Sequence, residues 1–215
     1  MGMKQKPLLV QFFLGITIDE ALNWKEHARH VNKQISRSNG IINRLKIILP
    51  RKILLMLYNT LVLPYLSYSL LLWGNTYKTT LDNVYKLQKR TVRNICNVPY
   101  RQSTGALFKD LKILTIFDIY NHQLGIFLYK FHHDMLPVSF MDFYHKNSRY
   151  HEYNTRFRHY LSQPYYRTVR GHSQIRSIGV HLWNSLPPAI KNSSTLNSFK
   201  RKLKYHLLQQ YNSMN

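Results

Sequence analysis

Cysteine is almost missing from this 215-residue chain, since Cys96 stands alone. A lone thiol excludes an intrachain disulfide framework and a cysteine-rich zinc site, and fits a reducing compartment. Acids are scarce too: nine Asp and Glu stand against 31 Lys and Arg, a formal net charge of +22. Two-metal polymerases and nucleases need clustered carboxylates, because hard anionic oxygens must hold both cations. Of the acids, only Asp19 and Glu20 are adjacent, and their place between a strand and a helix suits a turn and a helix N-terminus better than a metal. No glycine-rich phosphate loop and no Gly-x-Ser-x-Gly elbow occurs. His27 and His30 share one side of a helix without a third ligand nearby, so they read as surface imidazoles; His132-His133 is a weaker metal signal still. No self-sufficient active site is expected, and no cofactor in the chain itself.

What is present is apolar and aromatic. Hydrophobic residues make up 44% of the chain, too many for a disordered tail, with length for one sizeable core or two small ones. The charge imbalance calls for an anionic partner, nucleic acid first and an anionic membrane surface second. One run, Ile53–Trp73, is long enough to cross a bilayer without a charge. Asn59, Thr60, Pro64 and three tyrosines interrupt it, and the mean hydropathy of the chain is −0.36. It reads as a central core helix kinked at Pro64; the competing reading is a membrane-associated basic protein anchored by residues 53–73. At the amino terminus Lys6 stands where a myristoylation signal needs Ser or Thr, and Gln11 breaks a signal-like run over Leu8–Ile16.

Along the chain, Val10–Asp19 alternates as one strand or two joined near Gly15. Asn23 with Glu26 forms a capping-box pattern that starts a helix running to about Leu49, with Ala28, Val31, Ile35, Ser38 and Ile42 on its apolar face. A third helix starts near Thr80 and ends before Pro99. Ser103–Leu111 and Ile116–His133 are helical, the latter capped by Thr115 and Asp118. Residues 145–174 read as extended or looped. Helices follow at Ser177–Leu186 and after Ser194 or Thr195.

The third helix carries Lys86, Lys89, Arg90 and Arg93 at i, i+3, i+4 and i+7, one face wide, with no acid between them. Such a stripe is either a solvated face or a seat for a polyanion. Arg156, Arg158, Arg167 and Arg170 interleave with tyrosines that either stack on unpaired bases or line an interface between structural units. Lys200, Arg201 and Lys204 accompany the last helix.

Several motifs in fixed order go further. They are Phe13-Leu14-Gly15-Ile16-Thr17-Ile18-Asp19, Leu22-x-Trp24-x-x-His27, Gly40-Ile41-Ile42, Leu49-Pro50, Leu57-Tyr58-Asn59-Thr60-Leu61, Pro64-Tyr65-Leu66-x-Tyr68 and Trp73-Gly74. Leu87-Gln88-Lys89-Arg90-x-x-Arg93, Thr155-Arg156, Gly179-x-x-x-Trp183-Asn184-x-Leu186-Pro187 and Phe199-Lys200-x-x-Leu203-Lys204 continue the series. The set resembles the region after the catalytic palm in non-LTR, jockey-like (LINE) retrotransposon reverse transcriptases, from about Gln11 onward. That resemblance implies a mainly α fold: a thumb-like helical bundle with a short N-terminal β-strand pair and a small irregular or β segment before the C-terminal helix. It implies a palm-end strand remnant over 1–20, the thumb-like bundle over 21–100, a second helical unit over 101–145 and a basic extension over 146–215. The family's Tyr-x-Asp-Asp carboxylates and zinc knuckle have no counterpart here, so the resemblance implies a fragment inactive by itself, with Mg²⁺ held only in an upstream palm. The implied partners are an RNA or DNA duplex or hybrid, gripped by Lys86, Lys89, Arg90 and Arg93, and the palm itself.

Overall fold

The computed structural model describes residues 10–150, 153 and 155–213, with the side chains of Val10, Val169, Arg170, Asn212 and Ser213 outside the description. The start of the Leu8–Ile16 run and the myristoylation pattern lie outside the described residues. Leu14 and Gly15 take positive φ values of 46° and 79°, the two-residue turn whose twist suits a tight hairpin. They join β1 (Val10–Phe13) to β2 (Ile16–Asp19), antiparallel, with Val10 opposite Asp19 and Phe13 opposite Ile16. Ile16 and Asp19 face inward, whereas Phe12, Phe13 and Leu14 remain largely exposed.

Helix α1 (Lys25–Leu45) begins where the buried Asp19 carboxylate accepts the backbone N–H groups of Asn23 (3.2 Å) and Trp24 (3.0 Å). Those donors have no partner within a helix, so a carboxylate at this point satisfies them and suits the positive end of the helix. Asn23 assists by accepting from Lys25 N–H at 3.0 Å. The expected apolar face is buried, but α1 stops four residues short of Leu49 and also buries His27 and Asn39.

The uncharged run is not one helix. It divides into α2 (Arg51–Leu61), α3 (Leu63–Ser67) and α4 (Leu70–Trp73). Pro64 supplies no N–H and disfavours helix at the residue before it, so the chain re-enters a new helix with proline in its first turn. A second break falls at Tyr68, which is extended, and Ser69, with φ 49°. The broken ends are satisfied by other groups: Ser38 hydroxyl reaches the Leu61 carbonyl at 2.9 Å, and the Trp73 indole donates to the Tyr68 carbonyl at 3.0 Å. Leu54, Tyr58, Val62, Leu66, Leu70 and Trp73 are buried, while Met56, Tyr65, Tyr68 and Leu72 are exposed. The run is therefore one-sided, and among the described residues no helix is long and apolar enough to cross a membrane.

Helix α5 (Lys78–Cys96) lies along α1 and ends at Asn97 in the left-handed conformation. Its inner face includes three buried polar residues, Gln88, Thr91 and Asn94. Asn94 donates to Asn39 of α1 at 2.7 Å. Gln88, fully buried, donates to the Tyr58 hydroxyl and the Leu114 carbonyl and accepts from Ile116 N–H, each at 2.9 Å. Helix α6 (Gly105–Asp110) inserts Phe108 into this core.

The chain divides into two compact units at Ile116/Phe117, within the first turn of α7 (Ile116–His132). In the second unit α7 buries Ile119, Tyr120, Leu124, Leu128 and Tyr129. Irregular chain follows, with one bridge between Lys146 and Leu161, then α8 (Val169–His172), α9 (Ile175–Ser185), α10 (Pro188–Lys191) and α11 (Leu196–Gln209). Thr195 caps α11 by accepting from Ser198 N–H at 3.2 Å. Gly125 has no room for a Cβ, because Leu203 of α11 fills that space. Asn184 both accepts from the Leu161 N–H and donates to the Leu161 carbonyl, each at 3.0 Å, so its amide replaces a strand partner. The body is mainly helical with one two-stranded N-terminal sheet, as the sequence leads one to expect.

Candidate nucleic-acid interface

Helix α5 turns its stripe outward because the opposite side is committed to the core. With Val84, Gln88, Thr91, Val92 and Ile95 buried, the 100° step between residues leaves 86, 89, 90 and 93 on the outer side. Lys86 and Arg90 are exposed; Lys89 and Arg93 are half-buried. The Lys89 ammonium lies 4.6 Å from the Tyr85 ring centre. Arg93 donates from Nε to the Gln102 carbonyl at 2.8 Å, and its guanidinium sits 5.4 Å from the exposed Tyr100 ring. Two charges are thus held in place and two are free to reorient. Tyr85 stands one turn before Lys89, an i, i+4 neighbour, whereas Tyr100 and Gln102 are invisible as supports in the sequence, since the loop that returns them to the helix follows a left-handed cap.

The other basic candidates lie in the second unit. Arg156 and Arg167 are exposed, Arg158 is half-buried, and the side chain of Arg170 lies outside the described residues. The carbonyl of Arg158 accepts from Ser148 N–H at 3.1 Å, which ties that segment back on itself. On α11, Phe199, Leu203 and Leu207 are buried, while Arg201 and Lys204 are exposed and Lys200 is half-buried. The stripe of α5 and these two groups therefore belong to separate units.

The histidine pair of α1 needs correction. His27 is not a surface imidazole: it is buried edge-on against Trp73, with ring centres 5.2 Å apart, and its Nδ1 faces Thr17 N–H at 3.4 Å. Burial, aided by the neighbouring charge of His30, pulls its pKa down to about 4. Burial likewise pushes the Cys96 thiol up, away from a reactive thiolate. Among the described residues no three His, Cys, Asp or Glu side chains gather to hold a metal. Asp19 is engaged at the start of α1, and no Mg²⁺ site is assigned.

No family model matches the chain, and no solved structure does. It is 29% identical over 106 residues to the RNA-directed DNA polymerase from mobile element jockey of Drosophila melanogaster, a match covering 47% of this chain and 11% of that protein. It is 27% identical over 108 residues to a probable RNA-directed DNA polymerase from transposon BS of the same organism, covering 48% and 12%. The chain thus aligns with only about a tenth of the length of these relatives. Over about half of its own length, it is similar to retrotransposon RNA-directed DNA polymerases.

Proposed function

We propose that this chain is the post-palm, thumb-like portion of a non-LTR retrotransposon RNA-directed DNA polymerase, and that it holds template–primer duplex through Lys86, Lys89, Arg90 and Arg93. The observation that carries the reading is a cationic face on α5 with no acid between Lys86 and Arg93, in a chain similar to two such polymerases. At 1.5 Å per residue, the stripe extends about 10 Å along the helix, matching about three nucleotide steps of one strand. Arg93 and Lys89, steadied by Tyr100 and Tyr85, provide fixed charges, and Lys86 and Arg90 adjust to the local backbone. Contacts of this kind position a duplex without reading its sequence. Catalytic carboxylates and their Mg²⁺ are assigned to a palm that this chain does not supply. Arg156, Arg158, Arg167 and Arg170, with Lys200, Arg201 and Lys204, add affinity from the second unit.

The test is the salt dependence of duplex binding. Changing all four stripe residues to Gln should flatten the plot of log affinity against log salt by about three to four units, equally for unrelated sequences, with little change in helicity. An unchanged slope in a folded quadruple variant overturns the assignment of the stripe.

A further inference from the structure

Within the second unit, the end of α7, the Lys146–Leu161 bridge and the end of α10 enclose an open cavity of about 480 Å³. Its wall brings together His132, His133, His159, Lys146 and Lys191, with Trp183 behind them. We infer that this cavity is a binding site for a phosphate group, held by the ammonium groups of Lys146 and Lys191 and by the His132 imidazole.

Three observations carry the inference. First, His132 Nε2 is buried and has no hydrogen-bond partner in the protein, and its residue lines the cavity. Buried ring nitrogens are rarely left this way, so a ligand oxygen at that point is the natural partner. Second, the ring is held in the cavity wall by stacking on Trp183, with centres 4.3 Å apart. Phe199 approaches Trp183 at 6.1 Å, so the indole is a wall and not a stacking platform for a base. The site therefore selects the phosphate and not the group attached to it. Third, the charge is one-sided. Lys146, His133 and Lys191 all act on His132 in the same sense, and only Asp134 opposes them. With burial, the largest cause, they lower the His132 pKa to about 4.

Capping explains part of the cluster but not all of it. Lys191 donates to the Asn184 carbonyl at 3.3 Å near the end of α9 and lies 5.4 Å from the Tyr160 ring centre. An ammonium has three donors, and this bond occupies one. Lys146 is exposed at the rim, and capping gives no role to His132 Nε2.

The inference rests on the cavity and is independent of the reading of α5, since either site can fail while the other binds. The experiment titrates the full chain with inorganic phosphate and follows the His132 ring by NMR. A saturable shift is expected, with the His132 titration midpoint moving up from about 4, because a bound anion favours the imidazolium. The K146Q/K191Q double variant should bind at least about tenfold more weakly, whereas the charge-matched K33Q/K52Q variant in the other unit should bind as wild type. Parallel titrations identify the source of the phosphate. A response to a 5′-phosphorylated oligonucleotide but not to its hydroxyl-ended twin assigns a strand end, equal responses assign the backbone, and a response to inorganic phosphate and a mononucleotide alone assigns a free ligand. No saturable shift at millimolar phosphate, or equal weakening in both double variants, overturns the site.

Discussion

Replacing Gln88 with Leu tests the core that aims α5. The side chain is fully buried and satisfies three other buried groups: the Tyr58 hydroxyl, the Leu114 carbonyl and the Ile116 N–H. Leu is close in volume, so the main effect is to orphan all three at once. Each orphaned group costs about 1–3 kcal/mol, and with Leu recovering part of this by burial the loss should total roughly 3–6 kcal/mol. That is a large share of the about 5–15 kcal/mol that holds a typical domain folded. In urea, with a slope near 2 kcal/mol per molar, the midpoint of the first-unit transition should fall by about 1.5–3 M. The buried Trp73 indole reports that transition by fluorescence. Adding Tyr58→Phe to Gln88→Leu removes one orphan and should restore about 1 kcal/mol, although Tyr58→Phe alone destabilises. A midpoint shift below about 0.3 M, or strictly additive effects, would refute the network as drawn.

Two further outcomes follow from the same unit. Because the His27 pKa is about 4 in the folded chain and near 6.5 unfolded, its contribution to stability is intact above 6.5 and declines as pH falls toward 4; His27→Gln, which keeps an acceptor for Thr17 but does not titrate, should flatten that decline in urea midpoints measured between pH 7 and 4.5. Asp19→Ala should cost about 1–2 kcal/mol by stripping the α1 start of its acceptor, visible as a lower thermal midpoint.

The helices were legible where local chemistry decides. Thr195, Pro99 and the spacing of Val31, Ile35 and Ile42 each act within a few residues, and α1, α5 and α11 follow them closely. The start of α1 was half legible: Asn23 contributes, but the decisive acceptor is Asp19, four and five residues upstream of the N–H groups it receives. The single helix over 53–73 failed because apolar residues all round hide which side is buried, and because Ser69 takes a positive φ that its sequence does not advertise. His27 was misplaced for a related reason. Its burial depends on Trp73, which no spacing rule connects to it. The stripe of α5 was readable from spacing, but its supports were not: Tyr100 and Gln102 return through a loop after the helix has ended. Likewise, the cavity of the second unit assembles residues from His132 to Ser194 that carry no common motif.

The N-terminal hairpin has a consequence for the order in which the first unit assembles. β1 and β2 pair locally, and Asp19 ties the end of β2 to the start of α1, but the turn is fastened by Tyr68 hydroxyl to the Leu14 carbonyl at 2.7 Å, across 54 residues of chain, and β2 by the longer Thr17–His27 bond. Closing a loop of that size costs about 3–4 kcal/mol in chain entropy, which these hydrogen bonds and the buried Ile16 repay only after α1 and α3 are in place. The β1 strand and the Leu14–Gly15 turn are therefore a late-docking piece that can lift away while Asp19 stays at the start of α1 and the helices stay folded. Its amides should exchange with deuterated solvent through these partial openings, well before those of α5, and the exposed Phe12, Phe13 and Leu14 ride on the part of the unit that moves first.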